Sequence, residues 1–360
     1  MNQIVCLADH PWSPVPARIP QLLARLRDAQ ILYFEPAGRA CPARQNSARR
    51  VRPNILAYTL PCPSGSDDIY SLRRRLARRK TADFIHSKLR LHGFRDPVLW
   101  VTHPRQAIFL DLLAYRGLVY DCAAFHPSSM GEQEGALAQA ADVIFAASPG
   151  LMDRLSPCNS NIALIPNGVN YTMFCRTDLE VPPVLAGIGG PVLGRLGEIT
   201  PELNLAPAEH TAKEHPEWTL VLAGKAEGNP RLASLRQLPN VLLTGPVPMT
   251  DLPDYLGRFD VCLHLLKAGD EDTDVIPSRI YEYLSTGKPI VSMLCEDQVE
   301  IFPDVIYGAH TPQEFSLLCA RALTEHPEWV SKRRRGYGQA AAWTARAAEV
   351  IHILESIGLY

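Results

Sequence analysis

No stretch of this chain reaches the ~18 uninterrupted apolar residues that a membrane-spanning helix needs, so none is expected. Charge of one sign is also lacking. Thirty-six Lys and Arg stand against 38 Asp and Glu, for a formal net charge of -2. Nothing therefore draws the chain as a whole toward nucleic acid. The nine cysteines are scattered and odd in number, without a C-x-x-C pair or histidines at metal-ligand spacing. That excludes a disulfide framework and a structural zinc site, and reads as reduced thiols in a cytosolic core. Residues 1–8, "MNQIVCLA", have no basic leader and are too short for a secretory signal; they are expected to form a first buried strand. No self-similarity recurs at periods of roughly 20–50 residues, which excludes a solenoid.

What is present is alternation. Short runs rich in Val, Ile and Leu recur as "QIVCLA", "QILYFE", "NILAYTL", "PVLWVT", "GLVYDC", "DVIFAAS" and "NIALIP", then "PVLGRL", "WTLVLAG", "NVLLTG", "DVCLHLL" and "KPIVSML". Many are apolar on both faces, as in parallel strands covered by helices. Helical patterns fall between them, among them "PQLLARLRD", "GEQEGALAQAA", "DLPDYLGRF" and "SRIYEYLST". The pattern predicts an α/β chain with two parallel sheets. We place a first domain at 1–168, a Pro- and Gly-rich linker at 169–190 and a second domain at 191–335. A closing helical segment follows at 336–360, with its helix over 339–356.

The segment "DVIPSRIYEYLSTGKPIV", 274–291, reads as a loop, a helix and a strand. Pro277 suits a first helical turn, where its missing N–H costs nothing, and Gly287 suits the helix end. The unit lies at the carboxyl end of a parallel strand, where open α/β sheets bind ligands. The helix start should offer N–H groups at Ser278, Arg279 and Ile280, beside a hydroxyl and a guanidinium, a combination suited to a phosphate or diphosphate. Glu282 lies one turn further on, and a carboxylate there accepts two hydroxyl hydrogen bonds, as from ribose. Asp274 is placed to do the same for a hexose. The combination predicts a nucleotide-sugar site.

Several stretches in order resemble GT-B glycosyltransferases of the family 4 type, in particular bacterial enzymes of teichuronic acid and exopolysaccharide assembly. They are "HPWSPVPARIPQLLARL", "YDCAAFHP", "ADVIFAASPGLMDRL", "IPNGVN", "LGRLGEI", "HPEWTLVLAG", "LPDYLGRFDVCLHLL", "IPSRIYEYLSTGKPIV" and the tail "KRRRGYGQAAAWTARAAEVIHILE". The resemblance covers nearly the whole chain. It implies two Rossmann-like domains facing across a cleft, with the nucleotide-sugar in the second, the acceptor in the first, and the last helix returning to the first. It implies no metal and no cofactor beyond the donor substrate.

Carried over residue by residue, it implies Glu282 at the ribose and Asp274 near the donor sugar, Asp being one methylene shorter than the family's glutamate. Ser278 and Arg279 fall at the diphosphate. Gly194 and Gly197 are expected in the turn after the first strand of domain two, with Arg195 on the diphosphate. The lysine that usually follows is Thr200 here, and Lys225 is the substitute. Val247, in "GPVP" at 245–248, falls beside the nucleobase. Asn167-Gly168 matches an interdomain turn. On the acceptor side, Asp121 and His126 are candidate catalytic groups, and His10, Arg18 and His103 candidate contacts. Acidic residues common after "YD" are replaced by Ala123 and Ala124.

The expectation is sugar transfer from a nucleoside-diphosphate sugar to a hydroxyl of a saccharide, lipid-linked, in bacterial polysaccharide assembly. Retention is favoured; a base at Asp121 or His126 would mean inversion. Thirteen Lys and Arg lie between 44 and 95 against three acids, with a second cluster at 332–335. Solvated helix faces explain these, and so does an anionic membrane surface, which would put the protein in the cytoplasm or on the inner face of the plasma membrane. The rival readings are an inactive GT-B scaffold, and a nucleotide-sugar epimerase or hydrolase of the same fold.

Overall fold

The computed structural model describes residues 2–12, 17–36, 47–61, 72–267, 274–293, 301–325 and 328–360, and for 72–75 only the backbone. The basic residues Arg44, Arg73, Arg74 and Arg75 thus lie outside the described side chains. The chain divides into two compact units, one of Met1–Pro166 with Thr344–Tyr360 and one of Asn167–Trp343.

The first unit is built on eight strands: β1 (Asn2–Leu7), β2 (Ala29–Glu35), β3 (Arg49–Arg52), β4 (Ile55–Thr59), β5 (Val98–Val101), β6 (Gly117–Cys122), β7 (Val143–Ala146) and β8 (Ile162–Leu164). They are ordered β3-β4-β2-β1-β5-β6-β7-β8. Strand β1 is central, with Ile4 opposite Ile31 on one side and Val98 on the other. All neighbours run parallel except β3, which pairs antiparallel with β4. That strand departs from the all-parallel expectation; its sequence, Arg-Arg-Val-Arg, is too polar to read as a buried run, and it sits at an edge where one side faces water. The covering helices are α1 (Arg18–Leu23), α2 (Leu72–Leu91), α3 (Gly131–Ala140) and α4 (Pro149–Leu155). Ser148 caps α4 by accepting from the Leu151 N–H at 3.3 Å.

The second unit opens with α5 (Tyr171–Phe174), followed by β9 (Val192–Leu196), α6 (Ala206–Glu214), β10 (Thr219–Ala223), α7 (Leu232–Leu235), β11 (Val241–Gly245), α8 (Leu252–Arg258), β12 (Val261–His264), α9 (Ser278–Thr286), β13 (Ile290–Met293), β14 (Tyr307–Ala309), α10 (Pro312–Leu323) and α11 (Glu328–Ala340). Its strands are ordered β11-β10-β9-β12-β13-β14 and all are parallel. Strand β14, three residues long, was too short to register as an apolar run.

The expected linker, 169–190, is instead part of this unit. Phe174 and Leu185 are buried in its core with Val192, Leu196 and Phe259. The expected single closing helix is two, α11 and α12 (Trp343–Ser356). They break because the Ala341 carbonyl accepts from the Val169 N–H, and the Trp343 N–H donates to the Val169 carbonyl, both at 2.9 Å. Beyond Trp343 the chain belongs to the first unit, where Arg116 donates to the carbonyls of Gly358 at 2.7 Å and Leu359 at 2.8 Å. Helix α11 approaches α9 closely at Gly338, where a methyl group would lie 2.8 Å from the Ser285 backbone.

Candidate functional site

In the second unit the carboxyl ends of β9 and β12 and the start of α9 converge. Strand β9 is buried throughout, and Arg195 within it is only 3% exposed. Its Nη1 donates to the Gly197 carbonyl at 2.8 Å. Gly197 turns the chain with φ +109, a conformation side chains rarely adopt, and its missing side chain matters twice. A methyl group there would collide with the Arg279 guanidinium, which lies across the glycine. Two guanidinium groups thus meet at one glycine. Among the described residues neither is paired with a carboxylate, and Arg279 Nε is buried without a hydrogen-bond partner.

The surroundings respond to this charge. Burial, and then the neighbouring Arg279, lowers Arg195 to a pKa of about 10. Burial raises the pKa of Glu282, which is 8% exposed, while Arg279 pulls it back down. Burial pushes His264, at the end of β12, to about 3, and Arg279 and Arg195 add to the shift. Ser292 Oγ donates to the Met293 carbonyl and lies 2.9 Å from His264 Nδ1. A hydroxyl has one proton, so Nδ1–H is the donor to Ser292, and neutral His264 keeps its lone pair on Nε2. The Tyr283 hydroxyl accepts from the Leu196 N–H at 3.0 Å and ties α9 to the end of β9; burial raises its pKa to about 12.

Helix α9 begins at Ser278, and Pro277 is the extended residue before it, one position earlier than expected. The Ile280 N–H is not available to a ligand, since it donates to the Pro277 carbonyl at 3.0 Å. Ser278 and Arg279 are half-buried in the first turn, and Gly287, φ +78, ends the helix. Asp274 is half-buried in the segment entering α9. Asn167 Nδ2 donates to the Ile276 carbonyl at 2.9 Å and anchors that segment.

One expected donor residue, Gly194, stands elsewhere, and Lys225 and Val247 have settings of their own. Gly194 is inside β9 and not in the turn; a side chain there would run into the Phe259 ring, so it is a packing glycine. Lys225 is 55% exposed and pairs with Glu227 at 3.0 Å. Val247 is half-buried against the core of the unit. His264, Tyr283 and Ser292 were missed. Of these only His264 left a signal, a polar residue at the carboxyl end of an apolar strand.

The first unit gathers the acceptor-side candidates at the carboxyl ends of β1, β5 and β6. Asp121 is fully buried, and its Oδ1 accepts from Arg18 Nε at 2.8 Å. Burial raises its pKa and Arg18 opposes that. Arg18, 7% exposed, is thus tied to a structural partner, with its Nη1 and Nη2 left without hydrogen bonds. His10 is largely exposed and pairs through Nδ1 with Asp9 at 2.8 Å, which raises its pKa. Asp9 Oδ1 also accepts from Thr102 at 3.0 Å. His103 Nδ1 accepts from the Arg105 N–H at 3.1 Å, so its proton in the neutral form is on Nε2. Its ring meets that of His126 at 4.7 Å between centroids. Burial, with His126 next, lowers His103 to about 4. Asp121 is therefore sealed behind the surface, while the two histidines are half-buried at it.

Residues 193–325 match the family described as Glycosyl transferases group 1. A Bacillus subtilis (strain 168) glycosyltransferase assigned to teichuronic acid biosynthesis, TuaH, is 25% identical over 281 residues, 70% of each chain. Among solved structures, sucrose-phosphate synthase from Thermosynechococcus elongatus superposes with a TM-score of 0.74 at 15% identity, covering 99% of both chains. HepE of Anabaena, solved with UDP and glucose, gives 0.72 at 16%, covering 99% of this chain and 100% of its own. The E. coli trehalose-6-phosphate protein, bound with UDP-2-fluoro glucose, gives 0.75 at 10%, covering 98% and 99%. The fold is that of GT-B glycosyltransferases.

Proposed function

We propose that this chain, whose residues 193–325 form a group 1 glycosyl transferase domain, moves a sugar from a nucleoside-diphosphate donor to a hydroxyl of a saccharide. The observation that carries the reading is the meeting of buried Arg195 and half-buried Arg279 over Gly197, two cations without a carboxylate partner among the described residues. A diphosphate supplies the countercharge they lack. As the glycosidic bond to the donor breaks, negative charge grows on the leaving diphosphate, and the arginines stabilise it there. The reading needs no resident metal. Glu282 accepts the ribose hydroxyls, Ser278 donates to the diphosphate, Asp274 faces the donor sugar, and His264 Nε2 offers a neutral acceptor in the same site.

In the first unit we assign His126 and His103 to the reacting end of the acceptor, and Asp121 with Arg18 to holding β6 and α1. Burial behind Arg18 removes Asp121 as one of the two candidate bases for inversion, and with His126 read as a contact and not a base the proposal is retention. The acceptor is proposed to be lipid-linked and part of a bacterial polysaccharide, by likeness to TuaH. Membrane attachment draws support from a smaller patch than composition implied. Arg49 is engaged by Glu35, Arg78 by Asp111, and Lys88 lies over the Tyr58 and Phe84 rings. Arg50, Arg52, Arg79, Lys80, Arg90 and Arg95 remain exposed. No helix among the described residues is long and apolar enough to cross a membrane, and the proposed attachment is peripheral, at the inner face.

Calorimetric titration with UDP, GDP, ADP and dTDP tests the donor site. One nucleotide should bind the wild type and bind Glu282→Ala weakly. A folded wild type that binds none of the four refutes the donor-site reading.

A further inference from the structure

The loop that follows β6, Ala123–Pro127, carries His126 between β6 and α3. Its tip, Phe125, is 38% exposed, so burial alone does not hold it. The Arg154 guanidinium, in the last turn of α4, lies over the Phe125 ring at 5.2 Å. The same guanidinium donates through Nη2 to Glu134 Oε1 at 2.7 Å. Glu134, on α3 and 4% exposed, accepts from the Tyr120 hydroxyl of β6 at 2.8 Å as well, and Cys122 Sγ is 3.8 Å away. One guanidinium therefore joins α4, α3, β6 and the loop tip. Arginine suits this, since its plane offers a face to the ring and an edge to the carboxylate at once.

We propose that Arg154 is a positioning residue: by gripping Glu134 with its edge and Phe125 with its face, it fixes the Ala123–Pro127 loop and so holds the His126 imidazole against His103. The proposal rests on the transferase reading for its kinetic consequence, but its geometric consequence is independent of that reading. The charges around His126 agree with the geometry. Burial lowers its pKa; Glu134 acts in the opposite direction, Arg154 lowers it further, and Asp9 opposes. The neighbouring His103 ring is the remaining titratable contact. With Arg154 present, the Glu134 charge is engaged and His126 stays neutral at physiological pH. Without it, Glu134 faces His126 uncompensated and the imidazole should take up a proton more readily.

The test uses the full-length chain and three variants. Phe125→Leu removes only the ring face, at a partly exposed position that tolerates the change. Arg154→Lys keeps the charge but loses the flat face and the fork. Arg154→Gln removes the charge. Imidazole titration by NMR follows His126 in each, identified by its loss in His126→Gln. We expect the His126 pKa to rise in Arg154→Gln. We expect transfer kcat to fall by about 10–100-fold in Phe125→Leu and Arg154→Lys, with donor KM within about twofold, since misplacement of a reacting group costs rate more than binding. A residue that only stabilises the fold would lower the unfolding temperature and leave both the His126 titration and the rate of Phe125→Leu unchanged. That result overturns the proposal. If the wild type transfers no sugar, the transferase reading fails, and the titration of Phe125→Leu, which leaves every charge in place, then decides: an unmoved His126 there refutes the clamp, and a shift up toward the ordinary value, as the loosened loop loses burial, sustains it.

Discussion

Replacing Arg279 with methionine should make the protein more stable and a worse nucleotide binder at the same time. Methionine keeps most of the apolar stem and removes the charge. The stability side follows from the two cations. Arg195 is held at about 10 where free arginine is at 12.5, through burial and then through Arg279. At ~1.36 kcal/mol per pH unit, keeping Arg195 charged costs about 3 kcal/mol. Arg279 is the second cause after burial, so its removal returns part of that cost, on the order of 1 kcal/mol. Arg279 Nε also lacks a hydrogen-bond partner, a further cost of about 1 kcal/mol or more. Against this stands some lost packing, so a net gain of about 1 kcal/mol is reasonable. For a unit of this size, that raises the unfolding temperature by about 2–4 °C. The binding side has the opposite sign. Losing charge-assisted hydrogen bonds worth ~1.5–3 kcal/mol weakens diphosphate binding by roughly 10–150-fold. Scanning fluorimetry of the nucleotide-free protein and calorimetry with UDP read the two effects separately. A variant that melts lower and binds UDP within about twofold of wild type would refute the argument that these arginines are kept apart from carboxylates for a ligand.

Further perturbations test neighbouring parts of the reasoning. Glu282→Gln should melt higher than wild type at neutral pH: burial raises the folded pKa of Glu282, so the ionised carboxylate destabilises the fold above that value. The difference should close as pH falls through the folded pKa toward 4.5, the ordinary value, and a difference constant with pH would rule the account out. Asp121→Asn should lose ~3–5 kcal/mol by leaving Arg18 charged and buried, whereas Arg18→Met with Asp121→Leu should recover most of it; chemical denaturation of both settles whether this pair is structural. Gly197→Ala should abolish UDP binding, because its methyl group displaces the Arg279 guanidinium at a φ of +109, while Gly135→Ala, inside α3 with nothing within 4 Å, should stabilise by about 0.5–1 kcal/mol.

The fold was largely legible because its strands are buried on both faces, which leaves Val-, Ile- and Leu-rich runs that need no partner to be recognised. Strand β3 was not, since an edge strand of arginines carries no such run, and β14 is too brief to form one. The closing helix was read as continuous because its composition is helical throughout; the break at Ala341 is made by pairing with the distant Val169. The basic stretch looked stronger in composition than in space, because Glu35, Asp111 and two aromatic rings engage three of its charges.

What the sequence determined by itself is local: a proline before and a glycine after an amphipathic turn place α9, and alternating apolar runs place the sheets. What only the tertiary structure decided is which charges meet. Arg195 in a buried strand and Arg279 at a helix start converge because β9 and β12 are adjacent and Gly197 leaves room between them. Asp121 carries a residue type that such chemistry requires, yet it is sealed by Arg18. Residue type fixes what a side chain can do in water; burial and the nearest opposite charge fix what remains available to a ligand.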